Sequence, residues 1–350
     1  HTRFDIPDVV LPATSVPGVT WYHRNDYALT NETDGRSYFA QTMAQQGIPA
    51  DTIPDPFENR TFGGHLSVSA DAAQQLGDRA VSVKGTAATV EVIVLTAQTV
   101  TSSQWVSQLK AAVATEAARV DKEGKHEAWW TSFWNRSYIN LPGRGSQPDD
   151  EQRLVEQKYV WARYLDACDG RDAGAPVKFN GRAFTVDLGQ GPDYRAWGAC
   201  YWFQNTRQPY YNALAAGDLD IFQSLVDFYL TSLPAAVART RVEFPTGEGG
   251  YWPETMTQFA AYNPGDWGCT TSPSGPSTNT YIRWHTTGSL ELSLFVLDHF
   301  AYTQDADALK KHLPIVKAVL DYYRTRYSGR DSQDKMDMWP AQALETYQCL

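Results

Sequence analysis

The sequence is poor in cysteine, sparing with charge, and without any run of basic residues. Its four cysteines in 350 residues (Cys168, Cys200, Cys269, Cys349) lie too far apart for the paired C-x-x-C spacing of a zinc site. They leave two readings open: two disulfides in one of three connectivities, or buried free thiols. Lys and Arg number 30 against 40 acidic residues, a formal charge of −10, which excludes the footprint of a nucleic-acid binder. The longest apolar run lies near Val92–Leu95, far short of the ~18–20 residues of a membrane span, so no membrane partner is expected. G-x-S-x-G, H-E-x-x-H, G-x-G-x-x-G and P-loop motifs are missing. His126-Glu127 runs on into Ala-Trp-Trp, and the seven histidines do not cluster, so neither a metal nor a cofactor is expected. What is plentiful is aromatic: 12 Trp, 19 Tyr and 14 Phe.

Residues 1–100 read as a β-sandwich domain, with short apolar segments between Pro, Gly, Asn and Asp clusters. Val81-Ser-Val83 and the β-branched Thr89–Leu95 are its clearest strands. The period changes near residue 102. Trp105, Leu109, Ala112, Val113, Ala117 and Val120 share a helical face, which predicts a linker helix over 101–125. Further stripes follow in 126–350: Leu154, Val155, Tyr159, Ala162, Leu165 and Cys168; Ile221, Phe222, Leu225, Tyr229 and Leu233; Leu290, Leu294, Leu297 and Ala301; Leu309, Leu313, Val316, Leu320 and Tyr323. Asp305 and Asp307 precede the last one, where a helix dipole favours acids. Long stretches at 126–150, 170–200, 243–283 and 328–344 read as functional loops. The chain starts at His1, which fits a processed end, and carries sequons at Asn31, Asn59 and Asn135. Together these features predict a secreted glycoprotein.

Trp, Tyr, Asn, Gln, Arg and carboxylates concentrate in the predicted loops. Aromatic faces cover the C–H faces of a sugar ring, while amides and Arg bind its hydroxyls, so the mixture suits a carbohydrate cleft. The alternative is that these rings only fill gaps between helices. Glycoside hydrolysis needs two carboxyl groups, one to protonate the leaving oxygen and one across the ring as base or nucleophile. Glu254 is the candidate acid, because Pro253, Tyr251, Trp252 and Trp267 surround it with surface whose burial would raise its pKa. Its bland reading is a helix-start acid. Glu248, Asp266, Glu291 and Glu345 are further carboxylates, with Glu345 the candidate for the second catalytic one. Asn180, Arg195, Trp197, Gln204, Asn205, Arg207, Trp252, Trp284 and His285 are the candidate substrate-binding residues, and His285 reads equally as a hydrogen-bonding neighbour of the acid.

Several motifs together resemble the inverting (α/α)6-barrel glycoside hydrolases, especially the α-L-fucosidase/α-L-galactosidase group of glycoside hydrolase family 95. Trp129-Trp-Thr-Ser-Phe-Trp-Asn-Arg136 is similar to a W-x-x-F-aromatic-x-R run of that group, and Tyr159-Val-Trp-Ala-Arg-Tyr-Leu165 to its Y-x-x-x-R-Y-L helix. Pro176–Gly181, Asp193-Tyr194 with Tyr201–Asn205, and Leu297–Tyr323 resemble later motifs. Pro253-Glu-Thr255 departs from the family-95 pattern and is closer to a related group of six-hairpin glycosidases. The resemblance implies a β-sandwich followed by a helical barrel, an asparagine pair near the attacking water (Asn180 and Asn205 stand nearest), and a general base late in the barrel. Such a barrel needs twelve helices, whereas six or seven are readable. The expectation is therefore a barrel only partly contained in this chain, with the base beyond Leu350 and a second chain as the completing partner. An exo-acting inverting glycosidase is the leading reading. A polysaccharide lyase using Arg195, Arg207, Tyr281 and His285, and a non-catalytic carbohydrate-binding protein, are the alternatives.

Overall fold

The computed structural model describes residues 8–12, 18–27, 37–69, 73–141, 150–171, 176–178, 189, 200–262, 279, 281–344 and 347–349. The chain divides into two compact units, His1–Gln41 with Asp55–His126, and Thr42–Pro54 with Glu127–Leu350. The first holds strands β1 (Val9–Val10), β2 (Gly18–Arg24), β3 (Arg60–Ser69), β4 (Ala73–Leu76), β5 (Ala80–Val83) and β6 (Thr89–Gln98). Helix α1 (Tyr38–Gln45) runs across the division, and α2 (Ser102–Ala118) lies within the first unit.

The first unit is antiparallel throughout. Its main sheet has the order β1-β2-β3-β6, and β4 and β5 form a separate hairpin. Arg24 ties the sheet to the entry of α2: its guanidinium donates to the carbonyls of Asn59, Thr99 and Val100 at 2.9–3.0 Å and to Asn59 Oδ1 at 2.6 Å. Thr101 then caps α2 in a capping box with Gln104, and Trp105 and Leu109 fill the underside. The predicted stripe holds for those two residues and runs out at Val120, which lies past the helix and is exposed.

The second unit is helical: α3 (Lys122–Arg136, entering from the first unit), α4 (Asp150–Asp169), α5 (Phe203–Thr206), α6 (Gln208–Ala216), α7 (Leu219–Glu243), α8 (Gly288–Thr303) and α9 (Ala306–Arg326). Short ladders accompany them, β7 (Tyr201–Trp202) with β8 (Thr255–Met256) and β9 (Ala341–Ala343) with β10 (Tyr347–Cys349). Helix α3 corrects the loop predicted from 126. Trp129 stacks on Phe133 at 5.4 Å and Trp130 on Trp134 at 5.8 Å, so the aromatic run is laid down at the i,i+4 spacing that favours a helix.

A buried ion cluster joins α3, α4 and the start of α7. Asp218 lies just before α7 and receives Nε and Nη2 of Arg163 at 2.9 Å each, with Arg136 Nη2 also at 2.9 Å. The Arg163 guanidinium lies 4.3 Å from the Phe133 ring centre. The arginines of the two aromatic motifs are thus structural. They also explain why the stripe predicted for α4 is wrong: Arg163, Asp166 and Ala167 face inward, while Leu154, Val155 and Cys168 are exposed. In α8 the predicted face is rotated in the same way, and in α9 it is only partly right: Val316 and Tyr323 are buried as predicted. Leu294, Leu297, Leu313 and Leu320 are exposed, and the buried sides carry Leu292, Phe295, Val296 and His299, then His312, Ile315, Val319 and Tyr322. His312 Nε2 lies 2.7 Å from Asp227 Oδ1 on α7, a polar contact that fixes which side of α9 turns in. In α7 the predicted Ile221, Phe222, Leu225 and Tyr229 are buried and Leu233 is half-buried, and Asp305 caps α9 through the backbone N–H groups of Asp307 and Ala308.

Two further expectations change. Helix α7 is 25 residues long with a mean hydropathy of 1.3 over its most apolar window, so an apolar stretch of membrane-spanning length does exist. Ile221, Phe222, Leu225, Phe228 and Tyr229 are nonetheless buried in the second unit, as in any core helix. Cys168 and Cys200 are free thiols, which rules out the two-disulfide reading; burial pushes the Cys200 thiol up to about 11.

Candidate active site

Glu254 sits where the chain leaves α7's connecting segment and enters β8. The ladder pairs Trp202 with Thr255 and Tyr201 with Met256, which sets Glu254 against the start of α5. Phe203 N–H donates to the Glu254 carbonyl at 3.0 Å, and Gln204 N–H donates to the carboxylate Oε1 at 2.9 Å. The residue is 1% exposed. It is packed among Phe203, Tyr229, Trp252 and Leu292, which close around it without leaving room for a water molecule. Gly288 belongs to the same packing: a Cβ there would come within 2.9 Å of the Phe203 ring, so glycine lets α8 approach α5. Burial, and next the charge of Glu254, push the Tyr229 hydroxyl well above its usual range.

His285 Nδ1 lies 3.7 Å from Glu254 Oε2, and the ring is buried. Burial first, then the nearby Arg207 charge, lower its pKa to about 4. The neighbour of Glu254 at neutral pH is therefore an uncharged imidazole, not a counter-ion. This carries a stability consequence. The unfolded chain takes up the His285 proton near pH 6.5, while the folded one refuses it until about pH 4. The stabilisation is complete above the higher value and is lost as pH falls through the window, by up to about 3 kcal/mol. Urea unfolding at pH 7.5 and pH 4.5 is expected to show a smaller acid loss in His285→Gln than in wild type. Equal losses would contradict it; the comparison is differential because burial also lowers the pKa of His299.

The other predicted residues divide into three groups. Gln204 and Arg207 are half-buried beside Glu254 and His285, and Asn205 is exposed on the same short helix. Arg207 Nε is paired with Glu291 Oε1 at 2.7 Å, and the Tyr211 hydroxyl donates to the same oxygen. Glu291, in the first turn of α8, is thus an ion-pair partner. Trp252 is buried, with its backbone N–H on Ser289 Oγ and its indole N–H on Ser232 Oγ, both at 2.9 Å, so it is a core residue beside Glu254, not an open sugar-stacking face. Trp284 is half-buried, and the guanidinium groups of Arg283 and Arg326 lie 5.3 and 5.8 Å from its ring. Glu248 is exposed and paired with Arg324 at 2.9 Å, while Tyr281 is exposed. Asn180, Arg195, Trp197, Asp266, Glu345 and the sequon Asn31 lie outside the described residues. Asn135 is exposed near the end of α3, and Asn59 is half-buried. Among the described residues no group of His, Cys, Asp and Glu is placed to hold a metal ion.

The site has a buried carboxyl group, one oxygen of which is fixed by a backbone N–H, among aromatic walls. Residues 140–346 match the family model of the glycosyl hydrolase family 95 catalytic domain. The chain belongs to glycoside hydrolase family 95. Residues 7–139 match a family described as a domain of unknown function, DUF5703. No curated protein matches the chain. Membership of family 95 makes the protein a glycosidase of an inverting family, with a carbohydrate substrate. It displaces the lyase and the non-catalytic readings.

Proposed function

We propose that Glu254 is the general acid of an exo-acting inverting glycosidase that removes a terminal α-L-fucoside or a similar sugar. The observation that carries this reading is the Glu254 carboxyl group, 1% exposed, held by Gln204 N–H and facing a neutral His285 at 3.7 Å. In such a reaction the acid gives its proton to the glycosidic oxygen as the bond to the anomeric carbon breaks. A base takes a proton from water as the water attacks the opposite face. The two carboxyl groups stand about 6.5–9.5 Å apart to leave room for that water. Glu345 is the candidate within this chain for the second one. Gln204, Asn205, Arg207 and His285, with Asn180, Arg195, Trp197 and Trp284, hold the sugar.

The test is a panel of alkyl glycosides, with the first-formed anomer followed by proton NMR. The expected result is release of β-L-fucose from an α-L-fucoside, with kcat/KM about 10–100-fold above the matching α-L-galactoside. Release of the α anomer, or a preference for the galactoside, would overturn the assignment.

A further inference from the structure

The last turn of α7 carries a buried ion pair that no sugar could touch. Arg239 is 0% exposed, and its Nη1 lies 3.1 Å from both carboxylate oxygens of Glu243. The rest of the guanidinium is used on backbone. Nη2 donates to the Tyr251 carbonyl, and Nε donates to the Ala260 carbonyl at 3.2 Å. Those two carbonyls flank Glu254, three residues before it and six after. The Tyr251 hydroxyl closes the ring by donating to Glu243 Oε2 at 2.5 Å and lies 3.0 Å from the Tyr262 hydroxyl. The guanidinium also lies over both tyrosine rings, at 4.3 and 5.2 Å.

Two facts argue that this network serves more than stability. A buried ion pair generally gains little over well-packed apolar side chains, because desolvation offsets the Coulomb attraction. In addition, Ala260 is fully buried with φ at +61°, a conformation that an alanine holds only when its surroundings over-determine it. Its carbonyl is the one that Arg239 takes. The backbone from Tyr251 to Tyr262 is therefore clamped in a strained shape, with Glu254 inside it.

We propose that Arg239 and Glu243 form a positioning device that aims the Glu254 carboxyl at the glycosidic oxygen. This rests on the reading of Glu254 as the acid. Neither residue touches substrate; both act through the Tyr251 and Ala260 carbonyls. The test compares Tyr251→Phe, Glu243→Gln and Arg239→Met with Glu254→Gln in the full chain. Each is assayed on the alkyl glycoside that wild type turns over best and on the glycosyl fluoride of the same sugar, whose leaving group needs little proton donation.

A misaimed acid slows only the substrate that needs the proton. Tyr251→Phe and Glu243→Gln are expected to lose about 10–100-fold in kcat on the alkyl glycoside, with KM unchanged, and to keep most of their rate on the fluoride. Circular dichroism and urea unfolding establish the folded fraction, and Tyr251→Phe stands if Arg239→Met fails to fold. Wild-type kcat on both substrates per folded molecule would overturn the positioning role while leaving the acid in place. Wild-type turnover in Glu254→Gln would remove the acid itself, and the device with it.

Discussion

Glu254→Gln is expected to lower kcat on an alkyl glycoside by about 10²–10⁴-fold, the range that a positioned general acid supplies. The substitution is conservative in shape. Gln keeps an oxygen to accept the Gln204 N–H now held at 2.9 Å, and it fills the same space between Trp252 and Phe203. What it removes is the transferable proton. Ground-state sugar contacts are untouched, so KM is expected to stay within about twofold, the pattern of an interaction made only in the transition state. The alkaline limb of the pH–rate profile, which reports ionisation of the acid, is expected to vanish in the variant. Unchanged turnover would refute the role of Glu254. Equal losses in kcat and in sugar affinity would make it a binding residue.

The largest stability effect is expected at Asp218. Both it and Arg163 are 1% exposed, and Arg163 also donates to the carbonyls of Ser137 and Phe133. Asp218→Ala would leave the Arg163 guanidinium buried without a counter-charge and leave Arg136 with only its longer pairing to Asp220 at 3.9 Å. Breaking one side of such a pair costs about 3–5 kcal/mol. Replacing both partners avoids the stranded charge, so Arg163→Met combined with Asp218→Leu is expected to cost far less than Asp218→Ala alone. Urea midpoints with an unchanged slope measure both values. A cost under about 1 kcal/mol for Asp218→Ala would show that water or a neighbouring acid takes over the pairing.

The burial of Glu254 was legible in the sequence because Pro253-Glu254 directly follows Tyr251-Trp252, and Trp252 is one of the side chains packed beside it. The α7 stripe was legible for a related reason: Ile221, Phe222, Leu225 and Tyr229 share one face with few apolar competitors opposite. Helix α8 was not, and α9 only in part. In α8 leucines lie on both sides, and in α9 Leu313 and Leu320 face outward opposite a buried side of Ile315, Val316, Val319 and Tyr322. Periodicity cannot choose between two apolar faces; in α9 the His312–Asp227 contact does, across 85 residues of sequence. In α4 the deciding group was a charge, Arg163, which a hydrophobic pattern counts as surface. Arg239 and Glu243 failed for the same reason, since an i,i+4 Arg–Glu pair looks like an ordinary solvated one. Only the return of the chain at Tyr251 and Ala260 buries it.

The most direct test of the central claim is a crystal structure of Glu254→Gln with an intact alkyl glycoside bound. The side-chain amide at position 254 is expected within about 2.6–3.2 Å of the glycosidic oxygen, with Gln204 N–H still on its carbonyl. A second carboxyl group is expected on the opposite face of the ring, about 6.5–9.5 Å from position 254. A glycosidic oxygen that instead meets a different carboxyl group, with position 254 out of hydrogen-bond reach, would contradict the assignment of Glu254 as the acid.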